Sequence, residues 1–115
     1  MGAERMDART DQVFKALAAA ERRLLLDRLR ARNGQSLSEL CAHLDGMTRQ
    51  AVTKHLKVLE EATLVVTLRR GREKLHYLNP APIHEIAERW IGKYERGRVR
   101  VLAELKKKLE GESDG

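Results

Sequence analysis

SLSELCAHLDGMTRQAVTKHLKVLEEA, residues 36–62, holds two helical patterns joined by a tight turn. Ser36-Leu37-Ser38-Glu39 fits a capping box: the Ser36 hydroxyl would accept the Glu39 amide, and Glu39 would reach back to the Ser36 amide. Leu37, Leu40, Cys41 and Leu44 then recur at i, i+3, i+4 and i+7 as one apolar stripe, which Asp45-Gly46 ends. Thr48 is a suitable N-cap for a second helix to about Ala62, with Val52, Leu56 and Leu59 facing inward. Cys41 lies on the apolar stripe and is expected to be a buried thiol.

Working outward, the period changes directly after this pair. LVVTL at 64–68 is β-branched, KLHYL at 74–78 alternates, and the basic stretch RRGRE at 69–73 lies between them. That predicts a hairpin with a charged tip, closed off by Asn79-Pro80-Ala81-Pro82. Upstream, one helix is expected over 10–18 with Val13, Phe14 and Leu17 in step. A second is expected over 20–32, with Leu24, Leu25, Leu29 and the stem of Arg28 on one face, stopped by Asn33-Gly34. Downstream, a long helix is predicted over 82–109, its apolar positions including Ile83, Ile86, Trp90, Tyr94, Val101, Leu102 and Leu105.

The order is helix, helix, helix, helix, strand, strand, helix: mainly α with a small β-hairpin. Two short helices with a tight turn and a hairpin directly after them describe a winged helix-turn-helix. At 115 residues the chain has length for one core. We therefore expect a flexible N-terminus over 1–9, a single domain over 10–109 and a flexible tail over 110–115. Within the domain the helix-turn-helix spans 36–62 and the wing 64–78.

Charge points to a polyanionic partner. Between Met47 and Lys74 stand seven Lys or Arg against three Glu, a net +4 out of the whole chain's +6. On the second helix Arg49, Gln50, Thr53, Lys54 and Lys57 share one face. Arg suits guanine, Gln suits adenine, and Thr suits a base edge or a thymine methyl. Thr48 and the helix start would face a phosphate, and Lys54 and Lys57 suit phosphates as well. Arg69, Arg70, Arg72 and Lys74 in the wing complete the expected contacts to double-stranded DNA. RNA is disfavoured by the lack of aromatics for stacking.

These segments together resemble the ArsR/SmtB family of winged-helix repressors. The resemblance rests on FKALA at 14–18 with Arg22-Arg23, LSEL at 37–40, TRQAVTKHLKVL at 48–59 and GREK at 71–74, and it covers about residues 10–109. It implies a homodimer joined through the first and last helices, bound to a palindromic operator and acting as a repressor. Phe14, Trp90, Tyr94, Val101 and Leu105 are the expected interface residues. Two positions depart from the family pattern: Ala19-Ala20-Glu21 weakens the cap of the second helix, and Thr63 stands where Gly often closes the recognition helix.

Many members of that family sense metals, and the residues here argue against it. Family cysteine positions fall on Ser36 and Ser38, and the positions used along the final helix fall on Pro80, Pro82, Lys93 and Arg96. Cys41 and His43, two residues apart on a helix, point about 200° from one another. No metal site and no cofactor are expected. The alternatives are a sensor released by a metal, an oxidant or a small molecule, and a protein-interaction module on the same fold. No catalytic motif is present, so an enzyme is not expected. No apolar run approaches a membrane span and no signal-peptide core stands at the start, so the chain reads as cytoplasmic.

Overall fold

The computed structural model describes residues 2–91 and 96–113, with side-chain surroundings for 8–90 and 103–111. The elements are α1 (Gly2–Leu17), α2 (Ala20–Ala31), α3 (Leu37–Ala42), α4 (Arg49–Glu61), β1 (Val65–Arg70), β2 (Glu73–Leu78), α5 (Ala81–Ile91) and α6 (Arg96–Ser113). The helix expected over 82–109 is thus seen as α5 and α6, and α6 runs on through the expected tail to Ser113. At the other end α1 starts at Gly2 rather than near Thr10. Residues 3–9 are mostly good helix formers, whereas the apolar pattern that marks a helix by its buried face begins only at Val13.

The chain divides into two compact units, 1–83 and 84–115. The first carries the core. Leu25, Leu29, Leu40, Leu59, Leu64, Val52 and Val65 are fully buried in it, joined by Val13, Ala16, Leu26, Leu44 and Leu56. The second unit has no buried residue among its described positions, so one core serves the chain as described. On α2 the buried set is Leu25, Leu26 and Leu29, while Leu24 is 40% exposed and Arg28 lies in solvent. The inward face is turned by one position from the expected one, because α2 packs against α1, α4 and β2 and the side they cover takes in Leu26 and leaves out Leu24.

The caps explain where the helices begin. Ser36 and Glu39 form the full capping box of α3, with Glu39 N donating to Ser36 Oγ at 3.2 Å. Thr48 Oγ1 accepts from Ala51 N at 3.0 Å and opens α4. Ala19 caps α2 without any side-chain bond, as its residue type dictates. The joint between α1 and α2 is held differently. Arg22 donates from Nε to Ala16 O (2.7 Å) and from Nη2 to Lys15 O (3.0 Å), and Arg23 donates to Leu17 O (2.6 Å). Two arginines of α2 thus satisfy the last carbonyls of α1, groups that no helix can pair internally. Arg22 Nη1 also sits 3.3 Å from His55 Nδ1, linking the same joint to α4.

At the end of α4, Leu64 N donates to Leu59 O and Thr63 N to Glu60 O, both at 3.0 Å, a Schellman closure. Thr63, standing where Gly is usual, takes the left-handed conformation itself, at φ +59°. Asn79 holds it there, Nδ2 donating to Thr63 O at 2.8 Å. A residue with a branched Cβ in this region costs roughly 1–2 kcal/mol. Thr63→Gly should therefore raise stability by about 1 kcal/mol, a gain of roughly 4–8 °C in Tm. An unchanged or lower Tm would show that the closure carries no strain.

The hairpin is antiparallel, in register from Val65↔Leu78 to Arg70↔Glu73. Its turn is only Gly71-Arg72, with Gly71 at φ +64° as a two-residue loop of this kind requires. Arg69 and Arg70 therefore stand on strand β1 rather than in the loop. An isolated antiparallel bridge between Gln35 and His76 ties the segment before α3 to β2.

Candidate nucleic-acid interface

Helix α4 places its side chains by periodicity alone. At about 100° per residue, Arg49, Gln50, Thr53, Lys54 and Lys57 fall within an arc of roughly 140°. All five are exposed, while Val52, Leu56 and Leu59 on the other side are buried in the core. The arrangement expected from the sequence is thus present: a polar arc held by an apolar one.

Within that arc the groups differ in what they can still offer. Thr53 Oγ1 donates to Arg49 O at 2.9 Å, so its hydroxyl proton is engaged and its methyl and lone pairs remain. Thr48 Oγ1 is occupied as acceptor by Ala51 N, which leaves its proton free to donate. The amides of Arg49 and Gln50, at the first two helical positions, have no intrahelical acceptor by geometry. Arg49 bends toward α3, its Nη1 3.4 Å from Ser38 Oγ.

The wing carries its charges on two faces, since residues paired across the strands share a face. Arg69 pairs with Lys74, and Arg70 with Glu73. The Lys74 ammonium lies 3.0 Å from Glu60 Oε1 of α4, so its charge is spent within the fold. Arg69, Arg70 and Arg72 are exposed without an ion-pair partner among the described residues. Of the four wing cations singled out from the sequence, the structure leaves three free.

Several contacts that set this geometry carry no signal in spacing or composition, even where the residue itself does, as Asn33 and Gly34 do at the end of α2. Gln35, buried, donates through Nε2 to Arg28 O (3.0 Å) and Arg32 O (2.7 Å), closing α2 beside its bridge to His76. Asn33 Oδ1 accepts Leu78 N at 2.7 Å. Gly34, at φ +80°, leaves room where a Cβ would stand 3.2 Å from the Tyr77 hydroxyl. Glu60 faces Lys74 and Ser38 faces Arg49, partnerships that the helical patterns of α3 and α4 do not reveal.

Away from this face, Cys41 is half-buried rather than fully enclosed. Of the expected interface residues, Phe14, Trp90 and Leu105 are each about half exposed. Tyr94 lies outside the described residues, as does the side chain of Val101. Among the described residues no three His, Cys, Asp or Glu side chains gather as metal ligands would. No described helix is long and apolar enough to cross a membrane.

A helix-turn-helix domain family matches residues 17–67, from the end of α1 to the middle of β1. An uncharacterised helix-turn-helix-type transcriptional regulator of Bacillus subtilis (strain 168), YuzN, is 41% identical over 91 residues, 75% of this chain and 99% of that protein. Among solved structures, an ArsR-like transcriptional regulator from Rhodococcus sp. RHA1 is 33% identical with a TM-score of 0.69, covering 90% of this chain and 93% of that one. A crystal structure of another ArsR family transcriptional regulator is 28% identical with a TM-score of 0.65, covering 77% of this chain and 89% of that one. These relatives are regulators, not enzymes. With its winged helix-turn-helix and its polar arc on α4, the chain belongs to the ArsR-like family of DNA-binding transcriptional regulators.

Proposed function

We propose that this regulator is a cytoplasmic homodimer that represses transcription from a two-half-site operator, and that it does so without a metal. The observation that carries the reading is the α4 arc: five exposed groups suited to bases and phosphates, fixed by a buried opposite face. Arg49 and Gln50 are assigned to base edges and Thr53 to a thymine methyl. Thr48, Lys54 and Lys57, with Arg69, Arg70 and Arg72 of the wing, are assigned to phosphates. Lys74 is given a supporting role through Glu60.

Dimerisation is supported by Phe14 on α1, Trp90 on α5 and Leu105 and Leu109 on α6, all exposed large apolar side chains. Independence from metal is supported by Ser36 and Ser38. The first is committed to the α3 capping box and the second faces Arg49, and neither hydroxyl suits a soft ion.

The test is footprinting on the DNA upstream of the regulator's own gene, titrated against salt, with zinc and with a chelator. Protection of two half-sites about one helical turn or a multiple apart, unchanged by metal, is the expected result. Release by zinc would overturn metal independence, and a single protected half-site would overturn the dimeric reading. In the same assay Arg72→Ala should weaken binding to all sequences alike and reduce the slope of log K against log salt by about 1. A change in base preference instead would mean that the wing reads sequence.

A further inference from the structure

A cleft of about 340 Å3 opens between α3, α4 and the hairpin. Arg49, Thr53, Leu56 and Glu60 fall on one flank of α4, within roughly 60° of arc at 100° per residue, and all four line it. Leu37 and Ser38 face them from α3, and Arg72, Glu73 and Lys74 from the wing. Lys74 and Glu60 neutralise each other. What remains is two guanidinium groups against the carboxylate of Glu73, a net positive charge over an apolar floor of Leu37 and Leu56.

Neither guanidinium has an acidic partner among the described residues. Arg49 is held only by a long contact to Ser38, at 3.4 Å. A carboxylate or phosphate between Arg49 and Arg72 would replace that neutral contact with charge-assisted, forked hydrogen bonds. The volume lies in the range of small-ligand sites, and an apolar wall with a few convergent polar groups is their usual chemistry.

We propose that this cleft binds a small organic anion, a carboxylate or phosphate whose apolar part rests on Leu37 and Leu56, and that the bound anion withholds Arg49 from DNA. The inference rests on the base-reading role proposed above for Arg49. Arg49 and Thr53 also line the shallow concavity of the reading face beside Gln50 and Lys54, so both surfaces draw on one side chain. Anion and operator would then oppose each other's binding by the same factor.

The test uses the full-length protein without DNA, followed by amide NMR while benzoate, and separately inorganic phosphate, is added at constant ionic strength. Saturable shifts are expected at residues 36–38, 49, 53 and 72–74. Ser38→Leu, which fills the cleft, and Arg72→Ala should each weaken binding at least about tenfold. With DNA, saturating benzoate should lower operator affinity of the unaltered protein by about fivefold or more. Measured against its own unliganded affinity, Ser38→Leu should lose that sensitivity, changing by less than about twofold when benzoate is added. Non-saturating shifts spread over Lys54, Lys57 and Arg69, and unchanged by Ser38→Leu, would mean ordinary ion attraction to a basic surface and overturn the site. Saturable binding that leaves operator affinity unchanged would overturn the coupling. Loss of operator preference in the unliganded protein would count against the reading role of Arg49, while the anion titration would stand or fall by itself.

Discussion

Arg49→Ala is expected to lower operator affinity by about 1–3 kcal/mol, or roughly five- to 150-fold, and to relax base preference at one position in each half-site. Arg49 is the first residue of α4, where a recognition helix comes nearest to base edges in the major groove. Its guanidinium can fork onto the two acceptors of a guanine, the commonest specific contact to DNA. Lys57→Ala, two turns further on and exposed, should weaken binding to operator and random DNA by the same smaller factor, because a phosphate contact carries no sequence information. Competition binding against a set of single-base operator variants separates the two. If Arg49→Ala keeps the wild-type order of preference, the reading falls to Gln50 and Thr53, and the proposed anion effect loses its route to specificity.

The parts of this molecule legible from the sequence are those governed by local rules. Ser36 with Glu39, and Thr48 before its helix, satisfy groups only three residues away. The α4 arc follows from period, since the residues that pack the core fix where the others point. The hairpin was visible for the same reason, although its strands run further toward Gly71 than the basic stretch suggested. What stayed hidden depends on partners distant in sequence. Arg22 meets carbonyls six and seven residues back and His55 thirty-three ahead. Lys74 stood out by charge, yet Glu60 sits 3.0 Å away and cancels it. The face of α2 was misjudged by one position because helical period fixes relative angles but not which neighbours close in on a helix. Thr63 shows the opposite limit: the local rule disfavours its conformation, and the fold imposes it through Asn79 and the Schellman bonds.

His76→Ala should be the most damaging single change at the wing, destabilising the protein on the order of 3 kcal/mol, or roughly 12–24 °C in Tm. His76 is 4% exposed on β2. Its backbone amide donates to Gln35 O at 2.8 Å, and its carbonyl accepts from Gly34 N at 2.8 Å. Its ring Nδ1 lies 2.9 Å from the same Gln35 oxygen. A carbonyl oxygen only accepts, so Nδ1 must carry the proton. The ring thus clamps the chain between α2 and α3 to the hairpin, at the point where Gln35 also closes α2. Truncation would remove one buried hydrogen bond and leave a cavity under the wing, and the two losses can be told apart. His76→Asn places an N–H close to where Nδ1 stands but fills less volume, so it should recover about half of the lost stability if the hydrogen bond matters. Thermal melts of the two variants decide the point. Should they coincide, ring packing alone accounts for the loss. Should His76→Asn melt well above His76→Ala, the wing is fixed to the helix-turn-helix by a hydrogen bond from one buried histidine.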